Sequence, residues 1–195
     1  MTRFDAGRLT GLSDGIVAVA LTLLVLGIVP PESDGAHLIH ALVLKAPAFG
    51  IFALSFAIVA YHWVAHHLIF SLVEIVEVQF IWLNLLFLFA VVILPFSAGV
   101  LGRYPTAPVA LILYGTNVAF CSVTLMLVWW RMVRARLNTE IRPEIARWIS
   151  LRFTIWLVLS LVGIALALIL PIASLVLFAA LPLLYAFTSR PPKSA

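Results

Sequence analysis

The sequence contains very little charge. Only 10% of its 195 residues are Asp, Glu, Lys or Arg, whereas about 25% is typical of soluble domains. Hydrophobic residues make up 64%, which excludes a soluble globule and a disordered tail of any size. A bilayer crossing takes about 20 apolar residues. The composition therefore predicts about six spanning helices and no second, soluble domain.

Several kinds of chemical site are also missing. Cys121 is the single cysteine, so no disulfide forms within the chain. The sequence shows no serine, histidine and carboxylate constellation, no glycine-rich phosphate loop and no paired carboxylates at membrane depth. We therefore expect no enzyme, no cofactor and no catalytic residues. The net charge of +4 requires no nucleic-acid partner, because in a membrane protein it reflects which loops carry Lys and Arg.

Six apolar runs are separated by prolines or charged residues. The predicted helices cover about residues 10–29, 46–70, 78–101, 109–133, 148–170 and 172–187 of a single domain, 1–195. Pro30 and Pro31 end the first helix, because proline lacks an N–H and clashes with the preceding turn. A short segment at 37–45 is expected to lie at the membrane surface. Pro171 separates the last two helices, which form a tight hairpin or, less favourably, one kinked helix.

The basic residues predict the orientation of the chain. Six crossings place both termini on one side of the membrane, and ten of the twelve Lys and Arg residues lie on that side. Only Lys45 and Arg103 lie on the other. By the positive-inside rule both termini are cytoplasmic in a multi-pass protein of the cell membrane. The ten residues are Arg3, Arg8, Arg131, Arg134, Arg136, Arg142, Arg147, Arg152, Arg190 and Lys193.

Polar side chains at membrane depth are rare and therefore informative. Asp14 lies near the first turn of its helix, where capping alone would explain a carboxylate. Arg8 and Asp14 do not share a helix face, so each is expected to contact another helix. We interpret them as parts of an interhelical polar network. The other polar candidates are Ser13, Thr22, His62, His66, His67 and Asn84.

The spacing of three histidines suggests a metal site. His62, His66 and His67 form an H-x-x-x-H-H pattern that is similar to one box of the membrane di-iron desaturases. Those enzymes carry several such boxes, whereas this chain has five histidines in all. Hydrogen bonding between helices is the favoured interpretation. A single-metal site of His62 and His66, one turn apart, is a minor alternative.

The first helix carries one stripe of small and aliphatic residues. Gly15, Val19, Thr22, Leu23 and Leu26 recur at helical spacing. Such a stripe faces lipid, neighbouring helices or, when several copies surround an axis, a pore. Periodicity leaves these three possibilities open.

Three motifs resemble those of the transmembrane protein 175 family of endosomal and lysosomal potassium channels. The run 8–15 is similar to the family's Arg-x-x-x-Phe-Ser-Asp, with Leu12 in place of Phe. Trp63 and His66 match a Trp-x-x-His in the second helix. Asn84 and the Leu-Pro-Phe at 94–96 match the third. The motifs keep their order and spacing over about half of the chain.

The resemblance implies a six-helix, all-α subunit that assembles as a homotetramer in the lipid bilayer. The first helices would line a central pore that potassium ions permeate, without a carbonyl selectivity filter. The sequence contains no Thr-Val-Gly-Tyr-Gly loop.

The resemblance also implies roles for residues of the first helix. Val19, Leu23 and Leu26 would form an apolar constriction that gates by dewetting, and Thr22 would lie in a hydroxyl layer that helps to select potassium. Val19 stands where the family usually has the larger Ile, which suggests that the pore is wider at its constriction. A scaffold network would hold the cytoplasmic end of the helix; it consists of Arg8, Ser13, Asp14, Trp63, His66 and Asn84.

Two other functions are compatible with the sequence. A proton-linked or small-solute transporter would work as a monomer or dimer, with Asp14 and His66 as the titrating pair. A non-conducting membrane scaffold is the third hypothesis. A symmetric pore lined by one helix per subunit requires several copies, so the oligomeric state separates channel from transporter.

Overall fold

A computed structural model describes residues 6–137 and 141–188, with side chains as far as Leu184, and this part of the chain is entirely helical apart from its connections. Its helices are α1 (Ala6–Leu23), α2 (Leu38–Val43), α3 (Ala46–Ser71), α4 (Val78–Arg103), α5 (Pro108–Arg134), α6 (Pro143–Ala167) and α7 (Pro171–Thr188). A 3-10 turn over Leu24–Gly27 continues α1.

Five of the described helices are long and apolar enough to cross a membrane. They are α3, α4, α5, α6, and α1 together with its 3-10 turn. α7 is a shorter apolar helix, and α2 is a short helix before α3. Helices satisfy their own backbone hydrogen bonds, which lipid cannot do. The prediction of an all-α, multi-pass membrane protein is therefore confirmed.

Three predicted helix boundaries differ from those in the structure. α1 begins at Ala6 rather than near residue 10, and its 3-10 turn ends at Gly27 rather than 29. The pair Pro30 and Pro31 disfavours helical backbone in the residue before it. α6 begins at Pro143 rather than 148, because proline is favoured at the first helical position and Glu144 complements the helix dipole. Of the polar run 134–144, Arg134 is the last residue of α5, and Pro143 and Glu144 are the first two residues of α6.

α4 and α5 form the centre of the subunit. α4 packs against α1, α3 and α5, and α5 also packs against α3, α6 and α7. α5 is the most buried of the spanning helices, whereas α1 and α6 are the least buried. α1 therefore lies at the edge of the subunit, with one face uncovered.

α6 and α7 form a tight hairpin rather than one kinked helix. The Ser174 hydroxyl at the start of α7 donates a hydrogen bond of 2.7 Å to the Gly163 carbonyl of α6. Phe178 of α7 is fully buried. A Cβ atom would lie 2.6 Å from the Phe178 Cζ atom if added at Gly115, and 2.7 Å from it if added at Gly163. The absence of side chains at these glycines makes room for the ring.

The predicted orientation rests in part on residues that the structure does not describe. Arg3, Arg190 and Lys193 lie outside the described residues, as do both chain termini. The orientation of the chain in the membrane stays a prediction.

Candidate functional site

α1 presents two different faces. One face is buried against α3 and α4 and consists of Leu9, Ser13, Val17 and Ala20, and Leu24 of the 3-10 turn continues it. These residues follow the spacing of one helix face. The opposite face carries the aliphatic stripe predicted from the sequence. The candidate site is therefore a single helix, with one face packed against its own subunit and the opposite face exposed.

Asn84 of α4 is the centre of a hydrogen-bonded network on the buried side. Its side-chain amide donates to the Ser13 hydroxyl of α1 at 3.0 Å. Its side-chain oxygen accepts a bond of 2.8 Å from Nε2 of His66 in α3. The Ser13 hydroxyl also donates to the Leu9 carbonyl. Since all three side chains are fully buried, the network joins three helices away from water.

Aromatic rings hold the His66 side chain in place. The imidazole stacks on Phe70 at 4.1 Å and on Phe87 at 5.3 Å between ring centroids. Its Nδ1 atom has no hydrogen-bond partner among the described residues. The bond to Asn84 therefore sets the orientation of the ring within this aromatic stack.

A second bond joins α1 to α3 at the edge of the network. The Trp63 indole N–H donates to a carboxylate oxygen of Asp14 at 2.8 Å. Arg8 is exposed, and no hydrogen bond or ion pair joins it to another residue in the described part of the chain. The structure thus brings together five of the six predicted network residues in one subunit and leaves Arg8 apart.

The aliphatic stripe of α1 is open. In the isolated subunit Val19, Leu23 and Leu26 are 57%, 40% and 71% exposed. A groove of about 460 Å³ runs along this side of the helix and reaches Val92 of α4. Exposed aliphatic side chains on a face opposite a polar network are typical of a surface that lipid or another subunit covers.

Thr22 lies on the same open face. Its hydroxyl donates to the Val19 carbonyl at 2.7 Å. The hydroxyl proton is therefore engaged within the helix, and the lone pairs of the oxygen remain available as acceptors. An oxygen in this state is suited to contact a cation.

The α-helical geometry of α1 ends within the predicted constriction. Leu23 is the last residue of α1, and Leu26 lies in the 3-10 turn that follows. The turn approaches α4 closely, because a Cβ atom on Gly27 would lie 3.3 Å from the Gly99 Cα atom. A side chain at Gly27 would require the turn and α4 to separate by a few tenths of an ångström.

His62 and His66 bond to different helices. His62 Nδ1 donates to the Ile58 carbonyl at 2.8 Å, and its Nε2 lies 3.1 Å from the Ser122 hydroxyl of α5. His66 bonds instead to Asn84 of α4. No group of three or more potential ligands suited to a metal occurs in the part of the chain that the structure describes.

Sequence reasoning missed a second buried polar centre. Asn117 of α5 accepts a bond from Ser97 at 2.8 Å and donates to the Ala90 carbonyl at 2.9 Å, both in α4. It also missed the ion pair between Glu77 and Arg131, which joins the start of α4 to the end of α5. The signal for the Asn117 centre was available in the sequence: like Asn84, it is an Asn in the middle of an apolar run.

Comparisons with known proteins point to one family. Residues 8–95 match the family described as endosomal/lysosomal potassium channel TMEM175. A potassium channel of Streptomyces collinus is 33% identical over 135 residues, which are 67% of this chain and 66% of that protein. The endosomal/lysosomal proton channel TMEM175 of Rattus norvegicus is 28% identical over 88% of this chain and 35% of its own length. The chain thus spans slightly under two thirds of the bacterial relative and about a third of the rat protein.

A solved structure has the same fold over nearly its whole length. The crystal structure of a lysosomal potassium-selective channel TMEM175 homolog from Chamaesiphon minutus is similar with a TM-score of 0.82 and 30% sequence identity. The similarity covers 95% of this chain and 98% of that one.

Proposed function

This chain belongs to the TMEM175 family of endosomal/lysosomal potassium channels and their bacterial homologues, and on that basis we propose that it forms a potassium-permeable channel in the cell membrane. The observation that carries the proposal is the open aliphatic face of α1. Polar bonds fix the opposite face to α3 and α4, so this face is directed away from its own subunit. In the proposal, four copies place their α1 helices around one axis.

The proposed constriction consists of rings of Val19, Leu23 and Leu26. A narrow apolar throat expels water, and conduction then requires the α1 helices to rotate or move apart. Support comes from the exposure of all three side chains in the isolated subunit. The sequence lacks the carbonyl filter motif of other potassium channels, so selection of potassium falls to side chains such as Thr22.

Potassium flux into liposomes tests the function directly. We expect purified protein to carry potassium down its gradient faster than sodium. The Val19→Asn variant should change conductance several-fold, because a polar ring wets the throat. Val158→Asn is the matched control, since Val158 of α6 is a similarly exposed valine (49%, against 57% for Val19) on another helix. Flux that Val19→Asn leaves unchanged would place the pore elsewhere.

The role of Thr22 is tested by a substitution of the same shape. Thr22→Val removes the acceptor oxygen and keeps the volume. We expect reversal potentials to show a smaller preference for potassium over sodium, with conduction retained. An unchanged preference would assign selection to other groups.

The oligomeric state tests the assembly. A mass measurement on the purified protein should give four subunits, because one helix of a monomer cannot enclose a symmetric pore. We also expect Asp14→Ala to weaken the tetramer, because it removes the bond between α1 and Trp63. A stable monomer that transports ions would support the transporter hypothesis instead.

Proton permeation is the second candidate function. It is favoured by the name of the rat relative, a proton channel. The same liposomes with a proton gradient and a pH-sensitive dye would measure it. Asp14 bonds to Trp63 and His66 bonds to Asn84. Because the two side chains do not bond to each other, the structure gives no support to the proton-linked transporter.

A further inference from the structure

A cleft lined by two basic side chains lies at the end of the subunit opposite the Asn84 network. Three segments enclose its volume of about 640 Å³: the 3-10 turn after α1, the start of α3 and the end of α4. Lys45 and Arg103 both line it, together with Leu26 and Gly27 of the 3-10 turn. It therefore adjoins the last part of the proposed constriction.

No ion pair among the described residues compensates the positive charge of the cleft. Lys45 directly precedes α3 and Arg103 is the last residue of α4. The ion pairs found among the described residues involve other groups, His37 with Asp34 and Glu77 with Arg131. Lys45 and Arg103 are also the two basic residues that the charge distribution assigns to this side of the membrane. Lys and Arg are usually rare on the non-cytoplasmic side, yet both basic residues of that side line this one cleft.

The remaining wall of the cleft is apolar. Val29 and Leu44 line it and are 64% and 67% exposed. A soluble phosphate would use the two cations and leave these side chains uncovered. A phospholipid would satisfy both parts of the cleft, because its phosphate is anionic and its chains are apolar. The ends of spanning helices also lie at the depth of lipid headgroups.

We propose that this cleft binds an anionic phospholipid, with Lys45 and Arg103 at the phosphate and the apolar wall against the beginning of an acyl chain. The bound lipid lies beside the close contact between Gly27 and Gly99. It therefore supports the 3-10 turn that carries Leu26. Binding itself does not depend on conduction, so it can be tested separately from the proposed function.

Native mass spectrometry of the full-length protein in detergent provides the test, with phosphatidylglycerol and phosphatidylcholine as probes. We expect the wild-type protein to retain phosphatidylglycerol in preference. The Lys45→Gln/Arg103→Gln variant should bind it about thirtyfold more weakly, from the loss of two cations near an anionic lipid. Arg103→Gln alone should show an intermediate loss, and serves as the second variant if the double variant fails to fold.

The matched control removes two cations from the other end of the subunit, in Arg134→Gln/Arg142→Gln. Its preference for phosphatidylglycerol should stay close to that of the wild-type protein. Equal losses in the two double variants would overturn the proposal in favour of a general charge effect. Displacement of the lipid by inorganic phosphate at comparable concentration would also overturn it, because the cleft would then be a site for a soluble anion.

Discussion

The two halves of the subunit are held together by different interactions. In the first half, directional hydrogen bonds through Asn84 join α1, α3 and α4. In the second half, the Phe178 ring packs against two glycines of α5 and α6. Hydrogen bonds depend on angle, so they fix the rotation of a helix about its axis. Close packing of small residues mainly fixes the distance between helices.

This difference is related to the position of α1. α1 is among the least buried spanning helices, so packing alone constrains its rotation weakly. The bonds from Ser13 and Asp14 define which side faces the subunit and which side carries Val19 and Leu23. The central helix α5 is also bonded to α4 through Asn117, but it is the most buried spanning helix, so its rotation depends less on those bonds.

The largest effect is expected from Asn84→Leu. The change leaves the buried Nε2–H of His66 without an acceptor and removes the only described donor from another helix to Ser13. Unsatisfied buried groups cost about 1–3 kcal/mol each, so we expect a loss of about 3 kcal/mol. Unfolding of the purified protein in detergent, followed by tryptophan fluorescence, measures it.

A second substitution serves as the control for this loss. Adding His66→Phe removes the other polar partner, and replacing both partners by apolar groups is nearly neutral. The new ring also suits the neighbours Phe70 and Phe87. Stability should therefore recover in large part in Asn84→Leu/His66→Phe. A double variant as unstable as the sum of its parts would contradict the role of Asn84.

In the second half the corresponding substitution is Gly115→Ala. The new methyl group would lie 2.6 Å from Phe178 and 2.7 Å from Ile164. Overpacking costs about 1–3 kcal/mol, against a gain in helix propensity of about 1 kcal/mol. We expect a net loss of up to about 2 kcal/mol in the same unfolding measurement.

Gly50→Ala is the matched control, because Gly50 also lies within a spanning helix but has open space around it. This variant should be neutral or slightly stabilised. Equal destabilisation by the two changes would show that Phe178 does not require the space at Gly115.

The sequence predicted the first half better than the second for a physical reason. A polar residue in an apolar helix needs a partner, so Ser13, Asp14 and Asn84 were visible as candidates and the family resemblance supplied their neighbours. Phe178 and Gly115 look like ordinary residues of membrane helices, and only their three-dimensional contact shows their role. Asn117 carried the same signal as Asn84 but lay outside the recognised motifs.

A smaller effect should separate bonds between helices from bonds within one helix. Ser13 and Ser160 are both fully buried, and each hydroxyl donates to the carbonyl four residues earlier. Only Ser13 also accepts a bond from Asn84. We expect Ser13→Ala to cost about 1 kcal/mol more than Ser160→Ala in detergent unfolding. Equal costs would show that the bond to Asn84 contributes no net stability.

The smallest effect concerns the ion pair that connects the two halves. Glu77 precedes α4 and Arg131 lies near the end of α5, and their side chains remain 24% and 27% exposed. Exposed ion pairs contribute at most about 1 kcal/mol, and salt screens them. Glu77→Gln should therefore lower stability slightly at low salt and not at high salt. Glu74→Gln is the control, since Glu74 is exposed and forms no ion pair within the described residues. An equal response of the two variants would show that the halves are joined at this end by net charge, and not by the specific pair.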